Sequence, residues 1–172
     1  SNPTPHGTLV RELAFGDRSD NVIYLARPCQ YIKSKICSPR HWTTARFAPE
    51  IVNAEFDAVK QIAGTKQVIL IGFSGGAQIV GLIAAAKPDL NVKKIITIAG
   101  NLDHVNWTAY HNVIPLTESM NLENYRERFL QIPQQTIRLF CLKWCKNLYK
   151  TAVLSQLFRM LLTMQAGNRF IR

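Results

Sequence analysis

Three stretches of this chain are apolar at almost every position, and the segments around them repeat at three and four residues. Residues 21–26 (Asn-Val-Ile-Tyr-Leu-Ala), 67–72 (Gln-Val-Ile-Leu-Ile-Gly) and 94–99 (Lys-Ile-Ile-Thr-Ile-Ala) are short and rich in β-branched side chains. They end at Arg27-Pro28, at a glycine turn and at Gly100-Asn101 respectively. Such runs predict strands buried on both faces. Phe47, Ile51, Ala54, Ala58 and Ile62 recur at helical spacing and predict an amphipathic helix over 45–63, ended by Gly64. A helix of small residues is expected over 77–86, where Lys87-Pro88 stops it. Short helices are expected over 8–14 and 123–130, with loops over 29–44 and most of 102–133. Continuously apolar strands alternating with helices define the expected fold class as α/β, a three-layer α/β/α arrangement around a mostly parallel sheet.

The pattern changes at Gln135. From there apolar and basic residues interleave, with no acidic residue, no glycine before Gly167 and no strand bounded by turns. The expected organisation is therefore a folded core over 1–134 and a basic, apolar extension over 135–172, helical or poorly ordered. Within 137–164, Ile137, Phe140, Trp144, Leu148, Leu154, Leu157 and Leu161 mix with Lys143, Lys146, Lys150 and Arg159. A helix there would be broad on its apolar side and basic on the other, which suits an anionic membrane surface. Packing of the same segment onto an incompletely covered sheet is the plainer alternative.

Length and charge narrow these readings. A chain of 172 residues, 47% hydrophobic and 19% charged, has one domain's worth of core and none of the bias of disordered, collagen-like or coiled-coil sequences. No run of eighteen apolar residues occurs, and the first fifteen residues lack the basic-then-apolar layout of a secretory signal. The net charge of +10 is concentrated at one end: residues 128–172 carry eight basic side chains and no acidic one, while the preceding residues are close to neutral. A near-neutral body argues against a nucleic-acid partner. Of the four cysteines, Cys29 and Cys37 flank a short loop that would close as a disulfide in an exported or envelope-associated protein, or remain as two thiols in the cytoplasm. Cys141 and Cys145 complete the set, but gaps of seven and three residues do not suit a zinc site, so no metal is expected.

The segment Gly72-Phe-Ser74-Gly75-Gly76 matches G-x-S-x-G, with an apolar strand before it and a helix after it. In that setting the serine sits on a sharp, strained turn with its hydroxyl exposed, and small neighbours are required. Ser74 is the candidate nucleophile. The N–H of Gly75 is the candidate oxyanion donor, helped by the positive end of the following helix. A glycine-rich turn with a bystander serine, or a phosphate-cradling loop, is the alternative; a dinucleotide site would need G-x-G-x-x-G, which is absent, and no cofactor is expected.

The chain resembles bacterial α/β-hydrolase-fold proteins over about residues 3–133. The resemblance is carried by Leu25-Ala-Arg-Pro-Cys-Gln-Tyr31, Trp42-Thr-x-x-Arg46-Phe47-Ala-Pro-Glu50, Gly72-x-Ser-Gly-Gly-Ala77 and Ala99-Gly-Asn-Leu-Asp-His104. It implies serine hydrolysis of a small-molecule ester or related acyl substrate. It also implies a chain incomplete at both ends, because an upstream Gly-Asp-Gly loop and a downstream catalytic acid and histidine of the family have no counterpart here. His104 and Asp103, following the third predicted strand on the same edge as Ser74, are the internal candidates for base and acid. The alternative is that Asn101, Asp103 and His104 order the loops beside the serine. An inactive remnant or binding module of the same fold is the competing reading. Arg27 is a candidate anion contact, and Arg46 with Glu50 an expected i, i+4 ion pair.

Overall fold

The computed structural model describes Gly7 and residues 9–137. Among these, residues 26–137 form one compact unit, and Gly7 with residues 9–25 belong to another. The second unit contains helix α1 (Leu9–Gly16), close to the expected 8–14. The run 21–26, expected as a strand, pairs with no described strand. Strand propensity is a preference for a pleated, paired surface, and without a ladder partner it does not impose one.

The first unit is of mixed α/β character. Its sheet is small: β1 (Val68–Phe73), β2 (Val92–Ile98) and β3 (Gln134–Ile137) lie in that order and all pairs are parallel. Phe73 stands opposite Ile98 in the register, so β1 and β2 end at the same edge. β3 crosses the boundary expected at 134/135, and residues 135–137 therefore belong to the sheet. The remainder of 138–172, with the expected membrane-binding segment and Cys141 and Cys145, lies outside the described residues. No helix among the described residues is long and apolar enough to cross a membrane.

Helix α2 (Pro49–Ala63) starts four residues later than its periodicity suggested. Proline disfavours helical backbone in the residue before it, and Ala48 is accordingly extended (φ −61°, ψ 156°). Phe47 thus lies in a turn and not on the helix. Helix α3 (Gly75–Ala86) is apolar nearly all round and buried from Ala77 to Ala85 apart from Val80. It packs on β1 and β2, on α2, and on the 3-10 turn Leu122–Tyr125 with helix α5 (Arg126–Leu130). Gly81 permits the last contact, since a Cβ there would fall 2.4 Å from the Leu122 side chain. Phe47, Ile51, Val52, Leu82, Ile83, Ile95, Leu116 and Phe129 are the centre of this core. Along β1, Leu70 and Gly72 are buried whereas Ile69 and Ile71 remain 52% and 42% exposed.

Candidate active site

The strand–turn–helix around Ser74 takes its shape from steric demands. β1 runs directly into α3, and Ser74 joins them at φ 51°, ψ −117°, a left-handed conformation that costs a non-glycine residue about 1–3 kcal/mol. The turn is held from two sides: the Ser74 N–H donates to the Ile98 carbonyl at 2.9 Å, and the Ser74 carbonyl accepts from Ala77 N–H at 3.1 Å. Gly72 is indispensable to it. A Cβ at this position would stand 2.4 Å from the Gly76 carbonyl oxygen and 2.6 Å from the Ala77 backbone. Gly76, expected to be equally necessary, has open space where its Cβ would go. Ser74 is exposed, and among the described residues its hydroxyl has no hydrogen-bond partner. The N–H of Gly75 is the first amide of α3, which no intrahelical carbonyl can reach.

β2 ends beside this turn in a second left-handed residue, Ala99 (φ 48°), followed by Gly100, whose Cβ would meet that of Ala77 at 2.6 Å. Helix α4 (His104–Tyr110) follows, and Asp103 is its N-cap. The Asp103 carboxylate accepts from Val105 N–H at 3.1 Å, Asn106 N–H at 3.2 Å and the Asn121 amide at 2.8 Å. Partial burial pushes this carboxyl up, but the bonds from Asn121, Asn106 and Val105 outweigh it and leave Asp103 below the usual aspartate range. His104 is buried. Its Nε2–H donates to the Ser119 carbonyl at 3.3 Å, and its buried Nδ1 has no partner among the described residues.

Ser74 and Gly75 are thus adjacent at the end of β1, and Asp103 and His104 adjacent at the end of β2. No hydrogen bond among the described residues joins the Ser74 hydroxyl to His104, or Asp103 to the His104 ring. Phe47 touches both halves: its ring would lie 3.4 Å from a Gly75 Cβ, and its centroid is 6.0 Å from that of His104.

Three residues that belong to none of the sequence motifs, Ser119, Gln78 and Asn121, hold this arrangement. The Ser119 hydroxyl donates to the Thr44 carbonyl at 2.8 Å and accepts from Phe47 N–H at 3.1 Å. Gln78, fully buried on α3, donates to the Met120 carbonyl and to Asn121 Oδ1, which also accepts from His104 N–H. Ser119 and Asn121 lie in a polar turn stretch whose partners are far away in sequence, so spacing contains no sign of them.

The remaining candidates are engaged elsewhere. The expected Arg46–Glu50 pair does not form: Glu50 binds Arg40 at 2.8 Å, while Arg46 donates to the Thr43 and Trp42 carbonyls. The two residues fall on either side of the start of α2, so the i, i+4 geometry of a helix does not apply to them. Arg27 donates to the Arg46 carbonyl at 3.1 Å. Burial, with Arg46 repulsion and Glu55 attraction working against each other, lowers its guanidinium to about 10. Cys29 and Cys37 form a disulfide, with Cα atoms 5.6 Å apart. Among the described residues no group of three or more His, Cys, Asp or Glu side chains is placed to hold a metal ion. Comparison with protein-family models, curated proteins and solved structures finds no match to this chain.

Proposed function

We propose that the chain is a serine hydrolase of the α/β-hydrolase type, related to the bacterial branch it resembles, acting on an ester or related acyl substrate through Ser74. One observation carries this reading: an exposed serine is held in a strained left-handed conformation where a parallel strand turns into a helix. Such strain is tolerated where a side chain must be presented at the end of a sheet. Ser74 Oγ attacks the acyl carbonyl carbon, and the Gly75 N–H donates to the oxyanion that forms. The alcohol then leaves, and water cleaves the acyl-serine to regenerate the hydroxyl. The three-layer hydrolase fold belongs to the same proposal, with β1, α3 and β2 as its central crossover.

Attack requires a base. That His104 Nε2 is bonded to Ser119 and not to Ser74 favours a second reading, in which the turn persists as architecture without turnover and the fold serves as a binding module. Labelling with a fluorophosphonate separates the two. Stoichiometric modification of the wild type, abolished in Ser74→Ala, is the outcome expected of the hydrolase; an unlabelled wild type leaves the inactive fold. His104→Ala then tests the base, because loss of labelling with an unchanged melting temperature assigns it that role. The notion that residues 137–164 bind a membrane surface stays a proposal of sequence pattern alone.

A further inference from the structure

We propose that the disulfide-closed loop of residues 29–37 docks onto an anionic lipid bilayer. Independently of any chemistry at Ser74, this loop presents apolar side chains to solvent: Ile32 is 84% exposed, Ile36 82% and Tyr31 45%. A single exposed isoleucine on a protein surface is ordinary, but two of them with a tyrosine inside six residues make a patch. Lys33 and Lys35 lie between them and are exposed as well, and no acidic residue occurs from Asn21 to Pro49. Apolar tips interleaved with cations match the chemistry of a bilayer boundary, where isoleucine enters the acyl region and lysine meets anionic headgroups.

The loop is also prepared for that role. The Cys29–Cys37 disulfide closes it at the base. At its start, Gln30 N–H donates to the Arg27 carbonyl at 3.2 Å, and at its end Cys37 N–H donates to the Ser34 carbonyl at 3.1 Å, giving two tight turns, the second with Lys35 and Ile36 at its apex. Cys29 holds a left-handed backbone (φ 66°) after Pro28, which fixes the first turn. Lys33 lies over the Trp42 ring at 5.7 Å, tying the loop to the body of the unit. A loop already closed loses little conformational freedom on insertion. Its size favours lipid over protein, because a stable protein interface buries roughly 1,000 Å² or more and this patch is a handful of side chains.

The test is co-sedimentation of the full chain with vesicles of phosphatidylcholine containing roughly one-third phosphatidylglycerol, against phosphatidylcholine alone. Binding is expected to the anionic vesicles and to weaken as salt is raised. The double substitution Ile32→Glu with Ile36→Glu should lower the partition coefficient at least about tenfold, and neutralising Lys33 and Lys35 with glutamine about fivefold each. The two isoleucines are exposed, so the melting temperature of the double glutamate variant should stay put, and Ser74→Ala should bind like the wild type. Failure of the wild type to sediment with anionic vesicles overturns the proposal. So does binding that the double glutamate variant retains, which would place it on the basic residues of 137–164. Self-association in lipid-free buffer that Ile32→Glu abolishes, without vesicle binding, would assign the loop to a protein contact instead.

Discussion

Gly72 and Gly76 stand symmetrically about Ser74, yet their surroundings make them unequal. The three atoms nearest a Gly72 Cβ all belong to the backbone of Gly76 or Ala77, so no flexible side chain can yield there and the strand must part from the helix. Gly72→Ala should therefore cost about 3 kcal/mol of stability. Gly76→Ala places a methyl in open space inside α3 and should be neutral or stabilise by up to about 1 kcal/mol. Urea denaturation of both variants checks this, and equal losses would mean that the close approach at Gly72 is not what limits the turn. Ser74→Gly releases a strained backbone: a gain of about 1 kcal/mol is expected in the same titration. Stability gained by removing the one hydroxyl on the turn is what a conformation kept for chemistry predicts. A loss would show that the serine side chain contributes to the fold.

Among the elements, α4 depends most visibly on one residue. Asp103 satisfies the first amides of the helix and also binds Asn121, so Asp103→Ala should cost about 1–2 kcal/mol, read from denaturation near neutral pH. Because the folded state holds this carboxyl below its ordinary range, its contribution is present above the unfolded aspartate pKa and disappears as the pH falls through the depressed value. The alanine variant should lack that acid-side loss. α4 was not evident in the sequence, since His-Val-Asn-Trp-Thr-Ala-Tyr has no apolar stripe at helical spacing and its cap is a single aspartate inside a loop-like stretch. β1, α3 and β2 were evident, because apolar runs broken by glycine, and by Lys87-Pro88, leave few other structures open. β3 was hidden by its composition: Gln134–Ile137 is mostly polar and is held by ladder bonds to β2. At the site, Ser74 and Gly75 were legible as one contiguous motif. Gln78, Ser119 and Asn121 were not, because they meet their partners across 17 to 75 residues and a local pattern cannot encode such meetings.

For the whole molecule, the buried carboxyl of Glu55 couples folding to pH. Burial on the inner face of α2 pushes it up to about 7, with Arg27 pulling the other way, and its Oε1 has no partner among the described residues. The folded protein holds this proton more tightly than the unfolded chain, whose glutamate titrates near 4.5. Stability should therefore fall as the pH rises from about 4.5 to about 7 and level off above, by up to about 3 kcal/mol from this group. Glu55→Gln should flatten the profile, as thermal melts across that range would record. If the variant kept the wild-type slope, the coupling would have to lie in another group.

The bare isoleucines of β1 carry a consequence of a different kind. β1 is the terminal strand of the sheet among the described residues, and Ile69 and Ile71 leave its surface greasy as well as unpaired. A strand in that condition is a template on which a second molecule can be laid down. Solubility of the isolated chain is then limited by crowding in the tube more than by heat, and concentrated stocks should cloud with time while dilute ones stay clear. A lysine in place of Ile69 would spoil the template and extend the usable concentration, without touching the core on the α3 side.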